Sequence, residues 1–339
     1  MNAPVCITGA TGFIGSHIVD AFLRVGVPVH AAVRSPDDPN KVGPLKALAE
    51  RHGVALTLFS ADLTRPGSFD EAAQGCEGMI HVAASVRLAA PDPQRQIVDP
   101  SVEGTKNVLD AATRAGVRRV VLTSSVAAVG SYRDSQDHPL TEDDWNDGAT
   151  LQSDPYGLAK TSAERLAWRR AAEERWELVT CNPAMVLGPV MTARHSKASP
   201  MIVRALLTGA YPAIPKMCFG IVDVRDVAEA HVAAFQRPEA EGRHILCAGS
   251  RWMRELAELL RARVEGVKIT RRALPNFAMQ LFSLFDKRLS RSVLKDILGR
   301  EPRYVGTRAT SALGVSYRDI DETIEETARS MIELGFVTL

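Results

Sequence analysis

The stretch VCITGATGFIGSHIV, residues 5–19, decides how the rest of the chain is read. Val5–Thr8 is a short apolar run of strand character, and it ends in Gly9-Ala10-Thr11-Gly12-Phe13-Ile14-Gly15. Phe13–Val25 then carries helical spacing. Glycine tolerates positive φ and lets a ligand approach the backbone closely, so such a turn can present N–H groups to a phosphate. The N-terminus of the following helix adds partial positive charge at the same place. A glycine trio alone is weak evidence; the strand before it and the helix after it supply the context of a phosphate-binding turn. The spacing is GxxGxxG, a variant of the GxGxxG dinucleotide fingerprint.

Outward from this turn, Val27–Val33, Val54–Phe59, Met79–Ala83 and Val120–Thr123 read as further short buried strands. Between the last two, Val102, Thr105, Val108, Leu109 and Ala112 recur at three and four residues, which predicts a helix over Val102–Ala115. Strands alternating with helices predict an α/β fold, a doubly wound parallel-sheet Rossmann fold with ligands at the carboxyl edge of its strands. After about residue 190 the alternation is less regular. Helical patterns at Pro200–Leu207, Val224–Phe235, Arg254–Val264, Phe277–Leu284 and Ile320–Leu334 predict a smaller, mostly helical C-terminal substrate domain. The expected division is residues 1–190 and 191–339, with elements near 217–250 returning to the main sheet. A length of 339 residues accommodates both.

Composition narrows the function. Forty-one Lys and Arg against 40 Asp and Glu leave no basic surplus for a nucleic-acid partner. The longest apolar stretch, Leu274 to Phe285, is broken by Asn276, Gln280 and Ser283 and is too short to span a membrane. The N-terminus has no basic segment ahead of its first strand, so no secretory signal is expected. Cys6, Cys76, Cys181, Cys218 and Cys247 lack metal or redox spacing and read as reduced thiols of a cytoplasmic protein. Eight histidines show no HxH or HxxxH pattern, so no metal is expected.

The opening resembles that of the extended short-chain dehydrogenase/reductases. The resemblance continues through Ala61-Asp62-Leu63, HVAAS at 81–85, VEGTKNVL at 102–109 and VVLTSSVAAVG at 120–130. It resumes at YGLAK (156–160), NPAMVLGP (182–189) and VDVRDVAEAH (222–231). VRSPDDPNKV after the second strand and KTSAERLAW after the Tyr–Lys motif are most similar to the dihydroflavonol-reductase and cinnamoyl-CoA-reductase branch. The resemblance implies a nicotinamide dinucleotide held by Gly9, Thr11, Gly12, Phe13, Ile14 and Gly15. Asp62 and Leu63 match adenine-contacting positions, Ala83 and Ala84 lie under the middle of the cofactor, and Pro183, Met185 and Val186 line its nicotinamide face. It also implies a monomer or a homodimer.

Members that prefer NAD carry an acidic residue at the end of the second strand. Here Val33 is followed by Arg34, whose guanidinium suits a 2′-phosphate, and Lys41 matches a second basic position. NADP(H) is therefore the expected cofactor. Tyr156 and Lys160 are four apart, on one face of a helix, where a lysine ammonium favours the phenolate. Ser125 is the family's catalytic hydroxyl, with Ser124 as a capping or packing neighbour. Ser196 is a cofactor contact or a plain loop residue. The expected reaction is NADPH-dependent reduction of a ketone or aldehyde, with Tyr156 as general acid and also a cofactor contact, like Lys160.

The substrate is less legible. Ser85, Val86, Ser125 and Tyr156 are the expected substrate contacts. Phe277, Met279, Leu281, Phe282 and Phe285 form an apolar wall or plain core. Cinnamoyl-CoA reductases carry NWYCY before the tyrosine, whereas this chain has LQSDPYGLAK, and no residue certifies a dihydroflavonol. Residues 251–310 hold 14 Lys and Arg against 6 Asp and Glu, a field that attracts an anionic substrate or is balanced by the acidic tail. Alternatives are a 3β-hydroxysteroid-type dehydrogenase/isomerase, an NAD-dependent sugar-nucleotide epimerase or dehydratase, and a non-catalytic NADP-binding redox sensor.

Overall fold

The computed structural model describes residues 3–84, 87–282 and 291–339. The chain begins β1 (Val5–Thr8), α1 (Phe13–Arg24), β2 (Val29–Val33), α2 (Pro39–His52), β3 (Leu56–Ser60), α3 (Asp70–Ala73) and β4 (Gly78–His81). It continues α4 (Asp99–Ala115), β5 (Arg119–Thr123), α5 (Asp134–Asp137), α6 (Pro155–Ala171), β6 (Glu177–Pro183) and β7 (Met185–Leu187). Next come α7 (Met201–Leu207), β8 (Ile214–Pro215), β9 (Cys218–Asp223), α8 (Val224–Gln236), β10 (Gly242–Leu246) and β11 (Gly249–Trp252). The last elements are α9 (Met253–Arg263), β12 (Ala273–Leu274), α10 (Asn276–Phe282), α11 (Arg291–Ile297), α12 (Thr307–Ser311) and α13 (Ile320–Glu333).

Seven strands form one parallel sheet in the order β10-β6-β5-β4-β1-β2-β3. Apolar residues of α1, α2 and α8, including Phe22, Leu45 and Phe235, fill one face. Those of α3, α4 and α6, including Ala72, Leu109 and Ala167, fill the other. The sheet is therefore doubly wound, as expected. Strand order reverses between β1 and β4, so their carboxyl ends bound a crevice, the place where ligands bind in such sheets. β10 joins the sheet edge from the C-terminal half, pairing Gly242–Leu246 with Val179–Pro183.

Two strand ends differ from the expected ones for identifiable reasons. β2 starts at Val29, not Val27, because Pro28 has no N–H for the ladder. β4 stops at His81, short of Ala83, because the Val82 and Ala83 N–H groups donate to the Thr8 hydroxyl instead, each at 3.1 Å. α2, α3 and strands β6 to β12 add to what the periodicity predicted. Three strands, β11-β9-β7, make a small second sheet beside the carboxyl edge. α13 is tied down there: Gly188 N–H donates to Thr327 Oγ1 at 2.7 Å and Val190 N–H to Ser330 Oγ at 3.0 Å.

Gly15 lets α1 start hard against the glycine turn; a β carbon there would lie 2.2 Å from the Gly9 carbonyl oxygen. Gly43, inside α2, has nothing within 4 Å. Gly15→Ala is expected to lose about 1–3 kcal/mol of unfolding free energy through overpacking. Gly43→Ala is expected to gain about 0.5–1 kcal/mol from helix propensity. Denaturant unfolding of the two variants checks both, and equal effects would contradict this account.

Candidate active site

The crevice between β1 and β4 is shaped by one hydroxyl. Thr8 Oγ1 accepts from Val82 and Ala83, so its own hydrogen goes to His81 Nδ1 at 2.9 Å. His81 then carries its proton on Nε2, facing Thr105 Oγ1 at 3.4 Å. Burial pushes this imidazole down to about 3, so it is neutral. The clamp holds Ala83 against Gly9, which has φ +67°; a β carbon on Gly9 would sit 2.8 Å from Ala83 Cα. Ala84 is exposed at the crevice mouth. Helix α1 begins after Gly12, which brings no side-chain cap, so the first-turn N–H groups around Phe13, Ile14 and Gly15 keep their capacity for an anion.

The far side of the turn is closed by a residue the sequence reading did not single out. His195 Nδ1 accepts from Met191 N–H at 3.2 Å, so its Nε2–H donates to the Thr11 carbonyl at 3.3 Å. His17 Nε2 donates to the Pro189 carbonyl at 2.9 Å, and the Phe13 ring lies between the two imidazoles. The loop after β7 is thus laced to the glycine turn. Ser196 in that loop donates to the Ala193 carbonyl at 2.7 Å, which fits the plain loop role.

At the end of β2, Arg34 is exposed. Lys41 Nζ lies 3.2 Å from Ser35 Oγ and 2.9 Å from the carboxylate of Asp38, the residue capping α2, so its charge is partly answered. Asp62 accepts from Thr64 N–H and Oγ1 at 2.8 and 2.7 Å. These bonds, aided by the charges of Arg34 and Arg65, hold its carboxyl below the ordinary value. Leu63 packs over Gly104, and its carbonyl accepts from Asn107 at 2.7 Å.

Ser125 follows β5 in extended conformation, and its hydroxyl oxygen accepts from Ala127 N–H at 3.1 Å. That bond leaves the hydroxyl hydrogen for donation toward the Tyr156 phenol oxygen. Tyr156 stands in the first turn of α6, where Asp154 caps by accepting from Gly157 N–H at 2.9 Å and Pro155 presets φ. Lys160, one turn on, donates from Nζ to the Thr123 carbonyl at 3.2 Å. Burial raises the Tyr156 phenol above its ordinary value, opposed by a hydrogen bond with Ser125. Burial pushes the Lys160 ammonium down to about 8, opposed by the charge of Glu164. The depression of the phenol expected from the neighbouring lysine is absent in the chain alone: burial and the charge of Asp154 raise the phenol against the pull of Ser125.

Pro183 and Val186 are buried and Met185 half-buried where β6 runs on past the level of Thr123. Ser85 and Val86 lie outside the described residues, as do Leu284 and Phe285 of the expected apolar segment. Nothing is described of the Leu281 and Phe282 side chains. Phe277 is 73% exposed, so it is not plain core. The basic stretch is answered in part: Arg251 pairs with Asp321, Arg254 with Glu258, Arg263 with Glu325 and Arg308 with Asp143. The five cysteines are free. No described helix is long and apolar enough to cross a membrane.

Residues 5–248 match the NAD dependent epimerase/dehydratase family. The chain is 34% identical over 342 residues to cinnamoyl-CoA reductase CAD2 of Medicago truncatula, covering 99% of this chain and 97% of that one. It is 36% identical over 272 residues to a bifunctional dihydroflavonol 4-reductase/flavanone 4-reductase of Malus domestica, covering 76% and 75%. A solved structure of yeast methylglyoxal/isovaleraldehyde reductase Gre2, complexed with NADPH, superposes with TM-score 0.78 at 26% identity, covering 98% and 100%. The chain belongs to the NAD-dependent epimerase/dehydratase family. Within it, the chain falls in the extended short-chain dehydrogenase/reductase branch of the dihydroflavonol and cinnamoyl-CoA reductases, and it is an oxidoreductase.

Buried imidazoles recur around this site. Thr123 Oγ1 donates to His231 Nε2 at 2.7 Å, because His231 Nδ1–H is used on the Val227 carbonyl. Burial pushes His195, His231 and His244 down to about 4 and His81 to about 3. Each folded value lies below the unfolded one, so the unfolded chain takes up the extra protons. Stability is then complete above about pH 6.5 and falls as pH drops toward about 4, by up to about 1.4 kcal/mol per unit for each group. Thermal unfolding across that window checks this; a flat Tm down to about pH 5 would contradict it.

Proposed function

We propose that the chain is an NADPH-dependent carbonyl reductase that converts a ketone or aldehyde to an alcohol. The observation that carries this reading is the convergence of Ser125, Tyr156 and Lys160 at the carboxyl end of β5, on the same sheet edge as the glycine turn. The cradle suits the cofactor: backbone approaches backbone at Gly9 and Ala83, α1 starts uncapped, and a guanidinium ends β2 where NAD-specific relatives carry a carboxylate. Gly9, Thr11, Gly12, Phe13, Ile14 and Gly15 would hold the pyrophosphate. Arg34, with Lys41, would hold the 2′-phosphate, and Asp62 and Leu63 the adenine. Ala83, Ala84, Pro183, Met185 and Val186 would line the rest, in a cofactor domain of residues 1–190.

When bound, NADPH supplies the hydride. The chain's own groups supply the proton and the geometry. Ser125 turns its hydroxyl hydrogen from the phenol to the substrate oxygen and fixes it beside Tyr156. As negative charge develops on that oxygen, the Tyr156 proton transfers to it. The phenolate so formed is stabilised by the Lys160 ammonium, which the Thr123 carbonyl aims. At neutral pH the phenol is protonated and the lysine charged, the state this sequence of events requires. The same state, with Arg34 at the end of β2, favours the reductase over an NAD-retaining epimerase.

A panel of ketones and aldehydes followed by NADPH absorbance, with NADH in parallel, tests the reaction itself. Tyr156→Phe is expected to lower kcat roughly 100- to 10,000-fold while NADPH binding persists; full activity would refute the assigned acid. Arg34→Asp is expected to weaken NADPH binding roughly 10- to 100-fold and leave NADH binding little changed. Fluorescence titration with both cofactors reads that difference, and equal losses for the two would remove Arg34 from the 2′-phosphate site.

A further inference from the structure

Beneath the Ser125–Tyr156–Lys160 centre lies a buried ion pair for which the reaction described above has no use. Glu164, one helical turn beyond Lys160, is wholly buried, and Arg243 of β10 has a side chain only 6% exposed. Arg243 Nε donates to Glu164 Oε1 at 2.7 Å. Thr180 Oγ1 and Trp168 Nε1 donate to the same oxygen at 3.1 and 3.4 Å. The other oxygen, Oε2, accepts from Ser124 Oγ at 2.5 Å and from Asn182 Nδ2 at 2.8 Å. One carboxylate therefore gathers donors from the residue after β5, from β6 and β10, and from its own helix.

Three of these partners, Ser124, Asn182 and Arg243, lead on to the reacting groups. Ser124 precedes Ser125 in the chain, and Asn182 Nδ2 also donates to the Ser125 carbonyl at 3.2 Å. The remaining guanidinium nitrogens of Arg243 donate to the carbonyls of Glu142, at 3.0 Å, of Asp144, and of Ala128, at 3.3 Å. Ala128 closes the turn that follows Ser125. Glu142 and Asp144 open the segment that carries Trp145 and Asn146, and Asn146 Nδ2 reaches the Ala127 carbonyl at 2.9 Å and the Asp154 cap at 3.4 Å. The Trp145 ring stacks on the guanidinium at 3.8 Å. The loops that deliver Ser125 and Tyr156 are thus fastened to one point.

We propose that Glu164, keyed by Arg243, is a positioning residue for the reaction centre, setting Ser125 against Tyr156 and Lys160. A buried ion pair is a poor source of net stability, since desolvation offsets its attraction and an apolar pair of like volume does as well. Five donors on one carboxylate instead fix the relative placement of four elements. The pair also acts on charge. The groups facing Lys160 are Tyr156 and Glu164 on its own helix, the neutral His81 on β4 and the Thr123 carbonyl on β5; on α4, Asp110 is engaged with Arg170 at the far end of α6. Glu164 is the anion among them and favours the ammonium.

This inference rests on the reductase reading, and the experiment separates the two. Glu164→Gln and the apolar double variant Glu164→Leu/Arg243→Met are compared with the wild type in thermal unfolding, NADPH affinity, kcat across pH and ¹⁵N titration of the Lys160 amine. The double variant is expected to unfold cooperatively and bind NADPH as the wild type does, yet lose roughly 10- to 100-fold in kcat. In Glu164→Gln the Lys160 titration and the basic limb of kcat are expected to move to lower pH together. A folded double variant with wild-type kcat, or an unmoved Lys160 titration in Glu164→Gln, overturns the proposal. Should the double variant not fold, Ser124→Ala decides: lowered kcat at unchanged NADPH affinity supports positioning, and wild-type kcat overturns it. A wild type that reduces no carbonyl instead defeats the reductase reading, while the Lys160 titration still reports on Glu164.

Discussion

Where β1 and β4 end side by side, the backbone of Gly9 comes so near Ala83 that no β carbon fits between them. Much of the site follows from that closeness. It requires the turn to start on a glycine at positive φ and β4 to stop two residues early. The Thr8 hydroxyl must then satisfy the two N–H groups that the ladder leaves over. An unpaired buried amide costs about as much as a lost hydrogen bond, so a threonine here is a structural necessity of the crevice. The same hydroxyl commits its hydrogen to His81, which fixes that imidazole's tautomer and its depth in the sheet. The crevice is then narrow, lined by backbone and rimmed by the first turn of α1, a shape that favours a dinucleotide phosphate over a bulkier group.

How far this was legible from the sequence depended on the range of the contacts. The βα turn, the strands around it and the Tyr156–Lys160 spacing are local patterns with local causes, and the structure reproduces their positions to within a residue or two; β3, expected buried, is an edge strand and only partly covered. β6 escaped because its buried run contains Thr180 and Asn182, polar residues whose reason for being buried is Glu164, 16 and 18 residues away on another element. His195 reaches Thr11 across 184 positions and Arg243 reaches Glu164 across 79, and no periodicity encodes such pairs. Local clues did exist: a glutamate four residues after Lys160, on the same helix face, and an arginine in a short strand that ends in Ile245 and Leu246 are both charges in need of partners. The C-terminal region was less legible between α9 and α13, where the helices have seven residues or fewer. Apolar spacing there could not distinguish a wall from a core, and Phe277 turned out to face solvent.

Burial at the proposed reaction centre works on Tyr156 and Lys160 in opposite directions. The ordinary values, 10.0 for a tyrosine phenol and 10.5 for a lysine ammonium, would have them lose their protons almost together. Desolvation disfavours whichever form is charged, so it raises the first and lowers the second to about 8. The separation gives the chain a definite state at neutral pH: a neutral phenol that can give a proton, beside a cation ready to stabilise the anion this leaves. A base would need the reverse order, with the phenolate formed while the lysine is still charged, and that takes additional positive charge close to the ring. The apoprotein is therefore poised as an acid. Glu164 keeps it so from below by favouring the ammonium, and Arg243, by occupying one oxygen of that carboxylate and leaving the other to Ser124 and Asn182, ties the same charge to the position of Ser125. Electrostatic tuning and geometric alignment are in this way properties of a single buried pair.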